Sequence, residues 1–383
     1  TQAARLAPPF VRLALGPVFA LLLLHLLGAP AAWPPPAAAA PPPDVAARAW
    51  AVVDARTGIF IGGEDAEVSL PMASTTKVMT ALVVLREVRD LDTVMTVPAA
   101  VERVPFGTLD LVPGTRYTCD ELLWALLIDS ANDAAVTLAV NVAGSEAAFV
   151  RMMNAEARRL GLDGTHYENS HGIDAAGHHS TARDMCELGR VAMAGARFAS
   201  YVRRRTHPFA FAETGERVTL RSHNDFLSDF AWADGVKTGE TAGARFCLIA
   251  SGAPRGDRLV AALLGAVSRD RRAEDAGAII EWGAAQYTAW TMPAPGAVVA
   301  LAWGPGGRRD LPLALVAGEA AASLPPGVEP WASVDRSLQL RSPLPASAGL
   351  AFVTWRAGQR HLGTGVAHGS AGYVATAAGD DTP

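Results

Sequence analysis

Charge of either sign is scarce in this 383-residue chain: 33 Lys and Arg stand against 38 Asp and Glu, a formal net charge of -5, and charged residues make up only 19%. The basic excess that a polyanion partner requires is missing, which argues against nucleic acid as a ligand. Cysteine is scarcer still. Cys119, Cys186 and Cys247 are too few and too scattered for a disulfide framework or a spaced zinc motif, although any one pair remains free to bridge outside the cell. No internal repeat is visible. The apolar run at residues 13–27 is short for a membrane span, and residues 378–383 are neither apolar nor amphipathic, so no C-terminal membrane helix is expected. What is abundant is apolar side chain, at half of all residues, enough to bury one large core and a second, smaller one.

Arg5 and Arg12 precede the apolar run, and the small residues Gly28, Ala29, Pro30, Ala31 and Ala32 follow it. Positive end, short apolar middle and small-residue exit form a secretory signal, here residues 1–32, so the chain is expected to be exported. If left uncleaved, the same segment would associate the protein with a membrane. Pro17 within the run, and proline blocks at 34–36 and 41–43, argue against a buried core helix; residues 33–43 read as a Pro/Ala-rich linker.

Two short apolar runs, 50–54 and 59–61, flank Ala55-Arg56-Thr57-Gly58 and predict a hairpin. From 75 to 88, Val78, Met79, Leu82 and Leu85 recur at helical spacing, which puts Ser74 at the N-terminus of a largely buried helix. Thr118 and Glu121 form a capping box that opens a second helix, running to about 128, and a third begins near Asp133. Residues 235–239, 246–251 and 259–267 alternate with turn-rich linkers, as consecutive antiparallel strands do, and 276–287 reads as a closing helix. Strands at both ends with helices between them predict one α+β domain. Beyond Trp290, short runs at 298–303, 311–316, 338–340 and 350–355 predict a separate β domain.

Three short motifs occur in order: Ser74-Thr75-Thr76-Lys77, Ser130-Ala131-Asn132 and Lys237-Thr238-Gly239. Each alone is weak. Ser74 alone reads as a cap, Ser130 and Asn132 as caps of the next helix, and Lys237 as a strand end. Together, on a helix start, a helix–helix break and a strand, they form a set suited to acyl transfer. One helical turn brings the Lys77 amine to the Ser74 hydroxyl. That amine accepts a proton only when neutral, so its pKa must fall from about 10.4; burial and the nearby charge of Lys237 would both lower it. A serine at a helix start also places backbone N–H groups where an oxyanion develops.

On these motifs, extended by Leu70-Pro71-Met72-Ala73, by Asp133-Ala134-Ala135, by Gly177-His178-His179-Ser180-Thr181-Ala182-Arg183-Asp184 and by Asp234-Gly235-Val236, the chain resembles the low-molecular-mass penicillin-binding proteins that act as D-alanyl-D-alanine carboxypeptidases. The resemblance runs from residue 49 to about 375. It implies a β-lactamase/transpeptidase-like domain with a central antiparallel sheet flanked by helices, over 44–289. A small C-terminal β-sandwich domain over 290–376 and a tail over 377–383 complete the chain. It implies Ser74 as acylated nucleophile, Lys77 as base, Ser130 as proton shuttle to the leaving D-alanine, and Asn132 and Lys237 as positioning groups. The oxyanion hole would be the backbone N–H groups of Ser74 and Glu240. Thr238 and Arg272, with Lys237, Gly239 and Glu240, would bind the substrate, an Arg fork being suited to its carboxylate. Arg269 and Arg271 are neighbouring alternatives. Peptidoglycan stem peptides are the implied substrate and β-lactams the implied covalent inhibitors; no cofactor and no metal is implied.

Two departures from the family pattern stand out. Glu240 occupies a position that commonly holds Tyr or His, which would bring a negative charge close to the carboxylate pocket. Arg245 replaces a usual glycine, so the turn there is expected to differ. Three other readings compete. A class A β-lactamase would need a carboxylate for deacylation, with Glu168 the nearest candidate. His166, His171, His178 and His179 with Asp174 suggest a metal site, against local hydrogen bonding by loop histidines. A non-catalytic wall-binding protein would keep the fold and lose the chemistry.

Overall fold

The computed structural model describes residues 40–291 and the strand segments 298–302, 311–317, 321–324, 331–334, 351–357 and 360–369. The expected signal segment and most of the expected linker therefore lie outside the described residues, as does the strand expected at 338–340. Among the described residues no single helix is long and apolar enough to cross a membrane.

The predicted hairpin is present as β1 (Ala49–Asp54) and β2 (Phe60–Glu64). Asp54 fixes its turn, accepting from the Arg56 and Thr57 N–H groups at 3.0 and 2.5 Å. The helix expected from 75 begins later. Ala73–Thr76 form a 3-10 turn, and α1 covers Lys77–Glu87. Ser74 thus sits in the turn that leads into the helix. Two small sheets follow in part, with β3 (Val94–Thr96) pairing β4 (Arg116–Thr118).

The capping box forms as read: Glu121 N–H donates to Thr118 Oγ1 at 3.2 Å, and Thr118 N–H to Glu121 Oε2 at 2.7 Å. It opens α2 (Cys119–Trp124), which ends earlier than expected because Ala125–Asp129 widen into a π turn. The helices α3 (Asn132–Ala143), α4 (Glu146–Leu160), α5 (Ala182–Ala194) and α6 (Ala196–Val202) complete the helical layer. A hairpin, β5 (Thr206–Ala210) with β6 (Arg217–Arg221), and the short α7 (Phe226–Asp229) lead back to the sheet.

The last three strands of that sheet are β7 (Ala233–Thr241), β8 (Arg245–Gly252) and β9 (Leu259–Ala266), followed by α8 (Arg269–Ala285). The order is β2-β1-β9-β8-β7, with every pairing antiparallel. Alternation with period two explains why the central strands read as unbroken apolar runs. Val260, Ala262 and Leu264 of β9 face the core beneath α1 and α5. Leu259, Ala261 and Leu263 face a second core under α8. Trp50 and Val52 join the second core, where Trp50 meets Trp282 edge-on at 5.9 Å. Each such large side chain contributes about 1.5–3 kcal/mol by leaving water. Helix α5 lies close to the sheet because Gly189 has no side chain; a Cβ there would stand 2.6 Å from Ile249.

The closing helix starts seven residues before its apolar pattern does. Arg269, Asp270, Arg271 and Arg272 hide its first turn from a search for apolar spacing, while Ser268 caps it by accepting from Arg271 N–H. After it, β10 (Thr288–Thr291) pairs β13 (Ala321–Leu324). The strands β11 (Val298–Ala302), β12 (Leu311–Ala317), β14 (Trp331–Val334), β15 (Ala351–Ala357) and β16 (Arg360–Gly369) form a five-stranded antiparallel sheet. All three cysteines are buried and unbridged. The alternative of a disulfide between any pair is thereby corrected: each thiol lies in the packed interior, where burial pushes it up, Cys119 and Cys247 to about 12.

Candidate active site

The 3-10 turn is held from three sides. Ala73 has φ +49°, a conformation costly for a residue with a Cβ. Its carbonyl accepts from Thr76 Oγ1 at 2.8 Å. Behind it runs Gly172, whose missing Cβ would lie 2.0 Å from that carbonyl oxygen and 2.9 Å from Ser74 N. His178 fixes Thr76. Its Nδ1 accepts from Glu168 N–H at 3.0 Å, so the ring proton is on Nε2 and donates to Thr76 Oγ1 at 2.8 Å. Burial pushes this imidazole down to about 4, and it stays neutral at physiological pH.

Lys77 is the centre of the site. Its Nζ lies 2.6 Å from Asn132 Oδ1, 2.7 Å from the His171 carbonyl and 2.8 Å from Ser74 Oγ. Complete burial, and next the charge of Lys237, hold the amine well below the usual lysine range, against the opposing pull of Asp133. When neutral, the amine has two hydrogens and one lone pair. Asn132 Oδ1 and the His171 carbonyl can only accept, so they take both hydrogens. The lone pair is left for the Ser74 hydroxyl.

The orientation of Asn132 is set independently, because its Nδ2 donates to the Phe106 carbonyl at 2.7 Å. Asn132 N–H donates to the Gly107 carbonyl at 2.7 Å, and Asp133 Oδ2 accepts from Leu109 and Leu111 N–H, both at 3.0 Å. Neither Ser130 nor Asn132 caps α3 with its side chain. Ser130 instead takes a left-handed conformation, φ +66°, at the end of the π turn, and its Oγ accepts from Lys237 Nζ at 3.0 Å.

Lys237, on β7, also donates to the Thr238 carbonyl at 2.9 Å. Burial first, then the Arg272 charge, push it down to about 7, opposed by Asp129. Arg272 comes from the first turn of α8 and is only 3% exposed. Its nearest carboxylate, Asp225 Oδ2, is 3.7 Å away, and its Nε has no hydrogen-bond partner among the described residues. Thr238, next to Lys237 in sequence, is buried, and Gly239 passes against the 3-10 turn: a Cβ on Gly239 would be 2.8 Å from Ser74 N.

The Glu240 side chain is exposed and pairs with Arg269 at 2.7 Å, and its charge still acts on the buried Arg272 guanidinium, opposing the downward push of burial. Arg245 keeps the left-handed backbone that a glycine favours, φ +58°, and the turn is pinned by Asp174, which accepts from Thr241 Oγ1 at 2.7 Å and Gly243 N–H at 2.9 Å. Glu168 does not reach the Ser74–Lys77 pair; its carboxylate is 3.2 Å from His166 Nε2 on the surface. The four histidines do not converge on one point, although the His166 and His179 rings stack at 6.3 Å. His166 meets Glu168, His178 holds Thr76, His179 Nδ1 contacts the Gly177 carbonyl, and His171 Nδ1 accepts from Ile173 N–H. Among the described residues no group of three or more His, Cys, Asp or Glu is placed to hold a metal ion.

A serine hydroxyl 2.8 Å from a buried lysine amine, between an antiparallel sheet and its helical layer, is the arrangement that acyl transfer of the Ser–Lys kind requires. The sequence model of the D-alanyl-D-alanine carboxypeptidase family matches residues 36–268, and the chain belongs to this family. It is 36% identical over 260 residues to D-alanyl-D-alanine carboxypeptidase DacD of Escherichia coli (strain K12), covering 64% of this chain and 65% of that protein. With DacB2 of Mycobacterium tuberculosis it shares 34% over 245 residues, 63% of this chain and 83% of that one. The chain spans just under two thirds of the length of its enterobacterial relatives, 65%, 62% and 61%. The crystal structure of a D-alanyl-D-alanine carboxypeptidase from M. tuberculosis H37Rv superposes with a TM-score of 0.61 at 33% identity, covering 65% of this chain and 95% of that one. The Streptomyces K15 DD-transpeptidase gives 0.61 at 29% identity, covering 64% and 100%.

Proposed function

We propose that the chain is an exported serine D-alanyl-D-alanine carboxypeptidase that removes the terminal D-alanine from peptidoglycan stem peptides through an acyl-enzyme on Ser74. The observation that carries this reading is the buried Lys77 amine 2.8 Å from Ser74 Oγ, with both of its hydrogens committed elsewhere. As Ser74 Oγ attacks the carbonyl of the penultimate residue, its proton passes to Lys77 Nζ. The developing oxyanion lies against the backbone N–H groups of Ser74 and Glu240, a placement supported by the close approach of Gly239 to the 3-10 turn. When the C–N bond breaks, the leaving nitrogen takes the Ser130 hydroxyl proton, which is replaced from Lys77. Water then attacks the ester with Lys77 again as base, and Ser74 is regenerated.

Lys237, Thr238 and Arg272 receive the leaving carboxylate. The unpartnered Arg272 Nε supports this, since a buried donor left without an acceptor is costly until a ligand supplies one. Asn132 orients Lys77 and the substrate amide. β-Lactams acylate the same serine, their amide standing in for the scissile bond. We assign residues 44–289 to the peptidase domain, 1–32 to a signal segment, and the strands after Ala289 to a small C-terminal β-sandwich. The Streptomyces K15 relative is a DD-transpeptidase; an amine in place of water at deacylation would give that outcome from the same intermediate.

Intact mass after benzylpenicillin and D-alanine release from diacetyl-Lys-D-Ala-D-Ala test the proposal on the wild type and on Ser74→Ala. One adduct and D-alanine from the wild type alone are expected. Labelling of Ser74→Ala, or no labelling of the wild type, refutes it.

A further inference from the structure

The first turn of α8 carries three arginines, and the structure gives each a different partner. Arg271 turns back along its own helix, to Glu274 at 3.4 Å and Asp275 at 2.7 Å. Arg272 is buried, with Asp225 Oδ2 at 3.7 Å and an Nε that no described residue meets. Arg269 crosses to the sheet. Its Nε and Nη2 reach Glu240 Oε2 at 2.8 and 2.7 Å, and both side chains are exposed. β7 is an edge strand, so this pair ties the open edge of the sheet to α8, one residue after Gly239. Neither side chain has a part in the chemistry above.

Position gives the pair an electrostatic role. Arg269 and Arg272 lie three residues apart on one helix, a spacing that makes them surface neighbours about 5–6 Å apart at Cβ. Burial first pushes the Arg272 guanidinium down and Asp225 opposes it; behind these, the Arg269 and Glu240 charges act on it in opposite senses. The same two charges act on any anion that Arg272 receives, Arg269 attracting it and Glu240 repelling it. While paired they nearly cancel. Without Glu240, Arg269 would be a second cation at the mouth of the pocket; without Arg269, Glu240 would be an uncompensated anion there.

We infer that Glu240 and Arg269 together determine how strongly the pocket draws the leaving carboxylate. Glu240 withholds the Arg269 charge from the substrate and leaves Arg272 and Lys237 as the cations that act on it. The inference rests on the function proposed above.

The test is kcat/KM for diacetyl-Lys-D-Ala-D-Ala, whose one charge is its terminal carboxylate, measured at about 0.01 M and about 1 M salt, where the Debye length falls from about 30 to about 3 Å. At low salt Glu240→Gln raises it about threefold and Arg269→Ala lowers it about threefold, the scale of a solvent-screened unit charge. The double variant returns to near the wild-type value. At the higher salt the four proteins converge. Single variants that both slow the enzyme, as loss of a merely structural tie would, overturn the inference. So do unchanged rates at low salt, or differences that survive at high salt. No D-alanine from the wild type, with no penicillin adduct, overturns the underlying function and this inference with it.

Discussion

Gly239→Ala isolates how closely strand and nucleophile turn must meet. Gly239 has an ordinary backbone conformation, so alanine is admissible there and only space is at issue. The added methyl would stand 2.8 Å from Ser74 N, 2.9 Å from Ala73 Cβ and 3.0 Å from Thr75 N. Restoring ordinary contact requires strand and turn to separate by about 0.6 Å. Neither side is soft: the turn is braced by Thr76, His178 and Gly172, and the strand by its ladder to β8. Overpacking of this kind costs about 1–3 kcal/mol in stability. A displacement near 0.5 Å reaches the tolerance of a preorganised site, and about 1 Å can cost 100-fold, so acylation should slow about tenfold. Quenched-flow acylation with a fluorescent penicillin measures the rate, and urea unfolding the stability. Acylation within twofold of wild type would refute the reasoning even if stability fell, since the strain would then have been absorbed away from Ser74.

His171 and His178, pushed down to about 3 and 4 from an ordinary 6.5, are neutral in both folded and unfolded chains above pH 6.5. Below it the unfolded chain binds protons that the folded one refuses, so stability should fall by a few kcal/mol between pH 6.5 and 4. Urea unfolding at pH 7 and pH 5 checks this, with a shallower dependence in His178→Gln; a flat profile counts against it. Lys237, pushed down to about 7, attracts a carboxylate only when protonated. Thus kcat/KM for a peptide acid should decline above about pH 7 relative to the same peptide as its amide, and a pH-independent ratio would remove Lys237 from carboxylate binding. Arg245 is exposed and left-handed, so Arg245→Gly should raise stability by about 0.5–1 kcal/mol without altering acylation, read by thermal unfolding and penicillin labelling.

The motifs were legible because each combines a chemical group with a local structural cue. Ser74 and Lys77 sit a turn apart at a helix entrance, Ser130 and Asn132 at a helix break, and Lys237 on a strand. The capping box at Thr118 and the strands of the sheet followed from short-range pattern alone. What escaped was everything that depends on a long-range backbone contact. Nothing in the residues 105–111 announces that Phe106 and Gly107 offer carbonyls to Asn132, or in the loop after Ser170 that the His171 carbonyl accepts from Lys77. His178 was visible only as one of four histidines with an ambiguous purpose, because the Thr76 hydroxyl that explains it is 102 residues away. The start of α8 was hidden for a simpler reason: its first turn carries charges that serve the site and the surface instead of the core.

The order of the strands also bears on how such a chain is made. β1, near the start, pairs with β2 and β9, and β9 is the last strand of that sheet to be synthesised. Between Asp54 and Leu259 the ribosome adds roughly 200 residues, on the order of 10–40 s of translation, before the middle of the sheet has its partner. Any nascent fragment ending short of Leu259 exposes one flank of β1 and lacks the seam between the two cores. A chain whose main sheet is closed by β9 cannot complete either core until that strand has been made, so assembly of the site waits on it.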